Sequence, residues 1–300
     1  MTETGTADAR AGISAEPSAL DRLVVDHARQ ALALAGLVWN HAVSEYASDL
    51  GVIMPTIIPE PRQVLYAAGK GRDLMAFDAH DQVASYYRGN YERIRVHDWR
   101  PATELRARWY VFFEGCVRYT NLASGVPENH NTIVLFPMDD SREGIQGELA
   151  WTRQPTGERE AADLPGVPAE VATADINRSM VLDWIEALKG GDARAVAAFF
   201  TDDARQAARD YGTDSQGYRA LAGADIERFY ARLFDRFDVA GVDIIQLAVK
   251  DWYAFAELHW QVREKATGKG WRMNTVDMMP IMAPGKFLAR IGWGTQPVAD

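Results

Sequence analysis

The chain has almost no cysteine: Cys116 stands alone among 300 residues. A single thiol excludes an intrachain disulfide framework and any zinc or iron–sulfur site built from several cysteines. No apolar run reaches the ~18 residues needed to span a bilayer, so no membrane partner is expected. Basic charge is the scarcer sign. Lys and Arg total 32 against 42 Asp and Glu, giving −10 with His neutral. An acidic chain repels phosphate backbones, so nucleic acid is not an expected partner. No Gly-rich phosphate loop follows a strand pattern, no His pair has metal-ligand spacing, and no Gly-x-Ser-x-Gly elbow occurs. The expectation is therefore no cofactor and no metal. Residues 1–17 are small, polar and acidic and lack the order of a secretory leader. They read as a disordered tail, with the cytoplasm as the expected compartment.

What is present is apolar residues at 47%, with 9 Trp, 11 Tyr and 11 Phe. Such a chain buries a substantial core, and its length suggests two domains. The stretch 155–174 is rich in Pro, Gly, Ala and charge and reads as a linker between domains at 18–154 and 175–300. The two halves repeat each other. Trp109-Tyr110-Val111-Phe112-Phe113-Glu114 recurs 143 residues later (109 to 252) as Trp252-Tyr253-Ala254-Phe255-Ala256-Glu257. The same offset pairs Tyr87 with Tyr230, Arg93 with Arg236, Asn131 with Asn274 and Pro137 with Pro280. After the loss of one residue, Trp151 meets Trp293.

Periodicity predicts helices before strands in each half, an α+β order. Ser18-x-x-Asp21 opens a helix carrying Leu20, Leu23, Val24, Ala28 and Ala31. A second helix spans about Asp78 to Ile94. Strands follow at Arg106–Thr120, Thr132–Met138 and Ile145–Arg153. In the second half, Val181, Trp184, Ile185 and Leu188 form a helical stripe that stops at Gly190-Gly191. Asp192 caps a short helix holding Val196, Phe199 and Phe200, and another helix covers Asp225–Phe237. Strands are predicted at Val242–Val249, Trp252–Val262, Trp271–Met282 and Phe287–Trp293, with turns at Thr267–Gly270 and Pro284–Lys286.

This order, with Trp184-Ile185-Glu186-Ala187-Leu188-Lys189-Gly190-Gly191-Asp192, Ala198-Phe199-Phe200-Thr201-Asp202-Asp203-Ala204, Ile226–Ala231, Val276-Asp277 and Gly285-Lys286, resembles the nuclear transport factor 2-like superfamily. Within it, the second half is similar to ketosteroid isomerase and the SnoaL-like polyketide cyclases. The resemblance implies two tandem cones, each a curved antiparallel sheet on about three helices, joined as an intrachain pseudo-dimer, with a further homodimer left open. It also implies a hydrophobic small-molecule substrate.

In the resembled isomerases, a strand acid and a first-helix hydroxyl hold the enolate oxygen while a carboxylate moves the proton. The resemblance places Asp277 at the strand acid and Trp184 at the first-helix hydroxyl. It puts Ala208 at the base, with Asp210 two residues on. Strand alternation puts Tyr253, Phe255, Glu257, His259 and Gln261 on one face, and the resemblance makes that face the pocket wall. The expected catalytic set is thus Asp277, His259, Glu257, Trp184 and Asp210, with Phe229, Tyr230, Phe255 and Met279 against the substrate. Met273, Met278 and Met282 are expected to soften the same wall.

In the first half, Cys116 and Val134 replace His259 and Asp277. That half is read as the less catalytic one, although it has a polar and aromatic set of its own: Trp39, Asn40, His41, Asp78, His80, Asp81, Tyr86 and Tyr87. His41 and His80 could work with Asp78, but no spacing ties them together, and they read as surface or capping groups. Glu114 and Glu257, common to both halves, are alternatively structural partners of Arg93 and Arg236. The expected function is a cofactor-independent acid–base enzyme of isomerase, dehydratase, cyclase or epoxide hydrolase type. Its rival is a non-catalytic binding or assembly module.

Overall fold

The computed structural model describes residues 33, 36–61, 63–66, 74–139, 144–153, 168–214, 217–283 and 285–300. The first half runs through α1 (36–47), α2 (Leu50–Ile53), β1 (Gln63–Tyr66), β2 (Met75–Phe77) and α3 (His80–Tyr91). Then come β3 (Ile94–Ala107), β4 (Tyr110–Asn121), β5 (Pro127–Asp139), β6 (Gly144–Ile145) and β7 (Leu149–Thr152). The second half has α4 (Pro168–Gly190), α5 (Ala193–Ala197), β8 (Phe200–Arg209), β9 (Tyr218–Ala222) and α6 (Asp225–Arg236). It finishes with β10 (Phe237–Val249), β11 (Tyr253–Glu264), β12 (Gly270–Ala283), β13 (Lys286–Gly294) and β14 (Val298–Ala299).

The two halves carry the same sheet. Its order is β2-β1-β7-β5-β4-β3 in the first half and β9-β8-β13-β12-β11-β10 in the second, with β6 on β5 and β14 on β12. The sheets are not wholly antiparallel as expected, because β1 runs parallel to β7 and β8 parallel to β13. Parallel neighbours need a long connection, and the helix and strands between each pair supply it.

Local chemistry explains the helices. Ile226, Phe229, Tyr230, Leu233 and Phe234 on α6 are all buried at i, i+3, i+4, i+7 and i+8. Asp225 and Glu227 open that helix and Arg236 closes it, each complementing the helix dipole. Past α4, Gly191 takes φ +66°, and its N–H bonds the Leu188 carbonyl. Asp192 then caps α5 by accepting from the N–H groups of Arg194 and Ala195 at 3.0 Å.

Several expectations need correction. Helix α4 begins at Pro168, inside the expected linker 155–174, where proline's missing N–H costs nothing at a helix start. Phe200 opens β8 instead of closing α5. The expected strand 106–120 is the end of β3, a turn at Arg108 and Trp109, and then β4. Strand β3 has weak alternation because it is a sheet edge carrying Arg95, His97, Asp98, Arg100, Pro101 and Glu104. Charges and proline at an edge block further pairing. The helix expected from Ser18, and residues 154–167, lie outside the described residues.

The sheets pack face to face. One apolar cluster joins Tyr110, Phe112, Ile133, Leu135, Leu149 and Trp151 to Tyr253, Phe255, Val276, Met278, Ile291 and Trp293. Phe112 and Phe255, equivalent in the repeat, meet at 4.4 Å between ring centroids. The flanking contacts mirror each other: Tyr110 to Phe255 at 5.7 Å and Phe112 to Tyr253 at 5.9 Å. The Tyr110 hydroxyl donates to Glu257 at 2.8 Å, and the Tyr253 hydroxyl donates to Glu114 at 2.9 Å. These are the same bond made twice across the seam.

Candidate functional site

The seam fixes which face of each strand looks into its cone. On β11, Ala254, Ala256, Leu258, Trp260 and Val262 point into the second cone, and Tyr253, Phe255 and Glu257 point into the seam. Asp277 sits opposite Ala256 in register and therefore enters the cone, whereas Glu257 sits opposite Val276 in the seam. The expected convergence of Glu257, His259 and Asp277 is therefore corrected. His259, on the face away from the cone, bonds Asn274 Oδ1 at 2.7 Å. Phe255 packs on Phe112, so it does not face a substrate. Met278 belongs to the seam, and Met273 and Met279 to the cone; the Met282 side chain lies outside the described residues. Glu114 and Glu257 are indeed held by partners, but by tyrosines. Arg93 bonds the Gly89 carbonyl and Asn90, and Arg236 bonds Glu264.

Among the described residues, the second cone holds little open space. Arg290 on β13 donates Nε–H to Asp277 Oδ1 at 2.8 Å, and both side chains are buried. Burial pushes the Asp277 carboxyl up, while the Arg290 charge and hydrogen bond pull against it. The guanidinium also lies 5.9 Å from the Trp184 ring and 5.8 Å from Tyr230. Trp184 meets Phe287 edge-on at 5.7 Å. The cleft bounded by Phe229, Tyr230, Trp260 and Arg290 holds about 20 Å³, room for a single water. A recess of about 140 Å³ lies beside it, near Trp271 and Pro297. Asp210 is buried at the end of β8 and accepts from Arg232 at 3.1 Å, with Arg219 at 3.8 Å. It makes no contact with Asp277 among the described bonds.

The hollow cone is the first, against the expectation that the second holds the pocket. Its cavity measures about 720 Å³ and is walled by α1, α3 and the cone face of β3, β4, β5 and β7. Tyr86, Tyr87, Tyr91, Trp99, Val134 and Phe136 supply much of the lining. Glu45 and Glu148 present their carboxyls to it. One ligand atom each from His41, Glu45 and Glu148 lies within 4.8 Å of the others, a spacing that could also close on a divalent cation.

The hydrogen bonds there form a chain. The Tyr87 hydroxyl donates to Glu148 Oε2 at 2.6 Å and lies 3.1 Å from His41 Nε2. His41 Nδ1 lies 2.6 Å from the Thr56 hydroxyl, which donates its own proton to the Ile53 carbonyl at 2.6 Å. Thr56 has one proton and spends it on Ile53, so it accepts from His41 Nδ1–H. That fixes the tautomer and leaves Nε2 unprotonated, able to accept from Tyr87 only when a protonated Glu148 frees the Tyr87 hydrogen. Burial pushes the His41 ring down to about 3. The carboxyls move the other way. Burial lifts Glu148 to about 7 despite the Tyr87 bond, and burial plus the charge of Glu148 lifts Glu45 well above its usual range. Two carboxyls this close disfavour each other's ionisation.

At the cavity's other end, the Tyr119 hydroxyl lies 2.6 Å from His130 Nε2, which is 2.9 Å from Glu128. Cys116 is half-buried on the opposite face of β4. His41, read from sequence as a surface or capping group, is fully buried. His80 bonds the Met54 carbonyl at 3.3 Å outside the cavity cluster.

Sequence reasoning missed Glu45 and Glu148. Two signals could have found them. His41 and Glu45 are i and i+4 on a helix and share a face. The repeat also sets Glu148 opposite Arg290, 142 residues on, once Trp151 is matched to Trp293.

Residues 181–288 match the model of the SnoaL-like domain family. No curated protein matches the chain. Solved structures resemble part of it. One is a protein of Catenulispora acidiphila with a ketosteroid isomerase-like fold, solved with trimethylamine: identity 14%, 38% of this chain and 82% of that one covered, TM-score 0.33. A ketosteroid isomerase-like protein of Erwinia carotovora is 19% identical over 41% and 97% of the two chains, with TM-score 0.33. An LEH-like epoxide hydrolase of M. tuberculosis is 14% identical over 43% and 86%, with TM-score 0.32. No described helix is long and apolar enough to cross a membrane.

Proposed function

We propose that the chain is an acid–base enzyme acting on a hydrophobic small molecule, with its site in the first cone and with Glu45, Glu148 and Tyr87 as the reacting groups. One observation carries this reading. A carboxyl pair, one member bonded by Tyr87 at 2.6 Å, faces a cavity of about 720 Å³ with aromatic walls. That volume suits a drug-sized ligand. With Glu148 lifted to about 7, the pair supplies a base and an acid together near neutrality. The ionised carboxylate removes a proton from a carbon or hydroxyl beside the reacting bond. The protonated partner returns one to oxygen. Tyr87 O–H follows the charge between Glu148 and the substrate, and His41 Nε2 accepts its hydrogen bond, with the proton staying on Tyr87, when Glu148 is protonated. Isomerisation, dehydration, aldol-type cyclisation and epoxide opening all use this cycle. The second cone, closed by Asp277 and Arg290, serves the first as its dimer partner.

The test uses a panel of hydrophobic ketones, alcohols and epoxides, with solvent deuterium incorporation or product as the readout. Glu148→Gln and Glu45→Gln are expected to lower turnover about a hundredfold or more, the usual size of an acid–base contribution. Asp277→Asn, scored on its folded fraction, should keep turnover. Full activity in both glutamine variants overturns the assignment. The alternative, a binding or assembly module, draws on the reciprocal Tyr–Glu seam and predicts ligand uptake without turnover.

A further inference from the structure

Resting on the cavity reading for the reacting end of the substrate, we infer that Tyr119, His130 and Glu128 form a second polar subsite, which takes a hydroxyl at the substrate's far end. All three residues line the cavity. The rings of Tyr119 and His130 stack at 4.8 Å between centroids and 20° between planes, so each holds the other in place. The hydrogens of the group are committed within it. The hydrogen bonds from His130 and Tyr119 hold the Glu128 carboxyl below its usual range, and an ionised carboxylate only accepts. His130 Nε2, 2.9 Å from Glu128 Oε2, therefore carries its proton, and Tyr119 donates to the same oxygen at 3.1 Å. In the neutral ring, Nδ1 is then an acceptor. It is buried and has no protein partner. The Tyr119 oxygen, 2.6 Å from Nε2, keeps a lone pair as well. What the group offers is acceptors, so the matching ligand group is a donor. A ketone or ether oxygen would set lone pair against lone pair. A hydroxyl supplies one hydrogen and brings no charge into an aromatic wall.

The two polar ends set the length of the molecule between them. His130 stands on β5 before Leu135, and Leu135 pairs with Leu149, next to Glu148. At about 3.4 Å per residue, the strand from 130 to 135 covers roughly 17 Å. Thr132 and Val134 line the stretch between. The substrate class is therefore an elongated hydrophobic molecule, with its reacting group near Glu148 and a hydroxyl at the opposite end.

Three ketones that differ only at the far end test this: 4-(6-hydroxynaphthalen-2-yl)butan-2-one, its methyl ether and the parent naphthyl ketone. Calorimetry on the full chain at pH 8, where an ordinary imidazole is neutral, reads their affinities. A net hydrogen bond of usual strength corresponds to roughly a fivefold gain, so the hydroxyl ketone is expected to bind at least about fivefold more tightly than the other two. Tyr119→Phe keeps the stacked ring and should cut that preference while leaving the parent ketone's affinity unchanged. His130→Phe, with circular dichroism as the folding control for both variants, should cut it too. Nitrogen-15 spectra, with the His130 signals identified by their loss in His130→Phe, should show Nδ1 without a proton. Equal affinities for the three ketones, a preference untouched in both variants, no binding of any of them, or a proton on Nδ1 overturns the inference. Solvent deuterium entering beside the ketone reads the acid–base site separately. Equal affinities with exchange that Glu148→Gln abolishes sink only the subsite, and a hydroxyl preference without exchange sinks only the acid–base reading.

Discussion

In the second half, Asp277 on β12 bonds Arg290 on β13. In the first half, the same two places hold Val134 and Glu148. The neighbours have changed with them. Gly292 lies opposite Asp277, and a Cβ there would collide with the Asp277 carboxylate; Ala150, opposite Val134, meets no such obstacle. The first-helix position is Trp184 in one cone and His41 in the other, beside Tyr230 and Tyr87. One ground plan thus yields a closed cone and an open one. Where acid and base are both present, they find each other and aromatic rings fill the space around them. Where two acids stand together, Tyr87 donates to one of them and an open cavity remains beside the pair.

The comparison can be broken most forcefully in the closed cone. Asp277→Ala leaves the Arg290 guanidinium buried without its partner, which should cost about 3–5 kcal/mol in urea unfolding. The folded fraction should keep its first-cone chemistry. A loss below about 1 kcal/mol would mean that the pair does not hold the second cone shut.

The seam comes next. Tyr110→Phe and Tyr253→Phe each strip one donor from a seam carboxylate, and each should cost about 1–3 kcal/mol. If the two halves meet symmetrically, the two losses should agree closely. A large inequality would show that one side carries the interface.

The smallest effect sharpens the open cone. Glu148 titrates near 7 in the fold against an ordinary 4.5, so the folded state holds the extra proton between those values. Stability therefore falls as pH rises from about 4.5 to about 7 and levels off above. Glu148→Gln should flatten that slope, with a gain on the order of 1 kcal/mol at pH 8 once solvent in the cavity is allowed for, and little at pH 4. Melting curves across the range check it. His41 works with the opposite sign. Its ring, pushed down to about 3, costs stability as pH falls below about 6.5.

Helix α6 was legible in the sequence because its signal is local. The α6 stripe and the paired Trp-Tyr-x-Phe-x-Glu segments needed no knowledge of the third dimension. Which face of β11 lines the cone was not legible. Tyr253 and Phe255 on one side, and Ala254, Ala256 and Leu258 on the other, are all buried, so alternation marks two faces without saying which is inside. The resemblance assigned the polar face to the pocket. The identity of Tyr110 with Tyr253 and of Glu114 with Glu257 was the better guide, since a reciprocal contact requires the same residues twice. Glu148 escaped because it precedes β7 in an irregular stretch, and only the folded sheet brings it to α1. The edge strand β3 escaped because edge chemistry suppresses the pattern that identifies strands.

The wall between cavity and seam is a single layer of chain. On β5, Thr132, Val134 and Phe136 line the cavity, while Ile133 and Leu135 between them pack into the seam. On β7, Ala150 and Thr152 face inward, while Leu149 and Trp151 face the other half. A packed interior barely compresses. A molecule that swells the open cone must therefore push Leu135 and Trp151 against the opposite sheet, where Trp252 and Trp293 stand in the same cluster. The closed half then acts as a fixed anvil that sets the stiffness of the occupied one, and the indoles along the seam become built-in optical strain gauges for cavity filling.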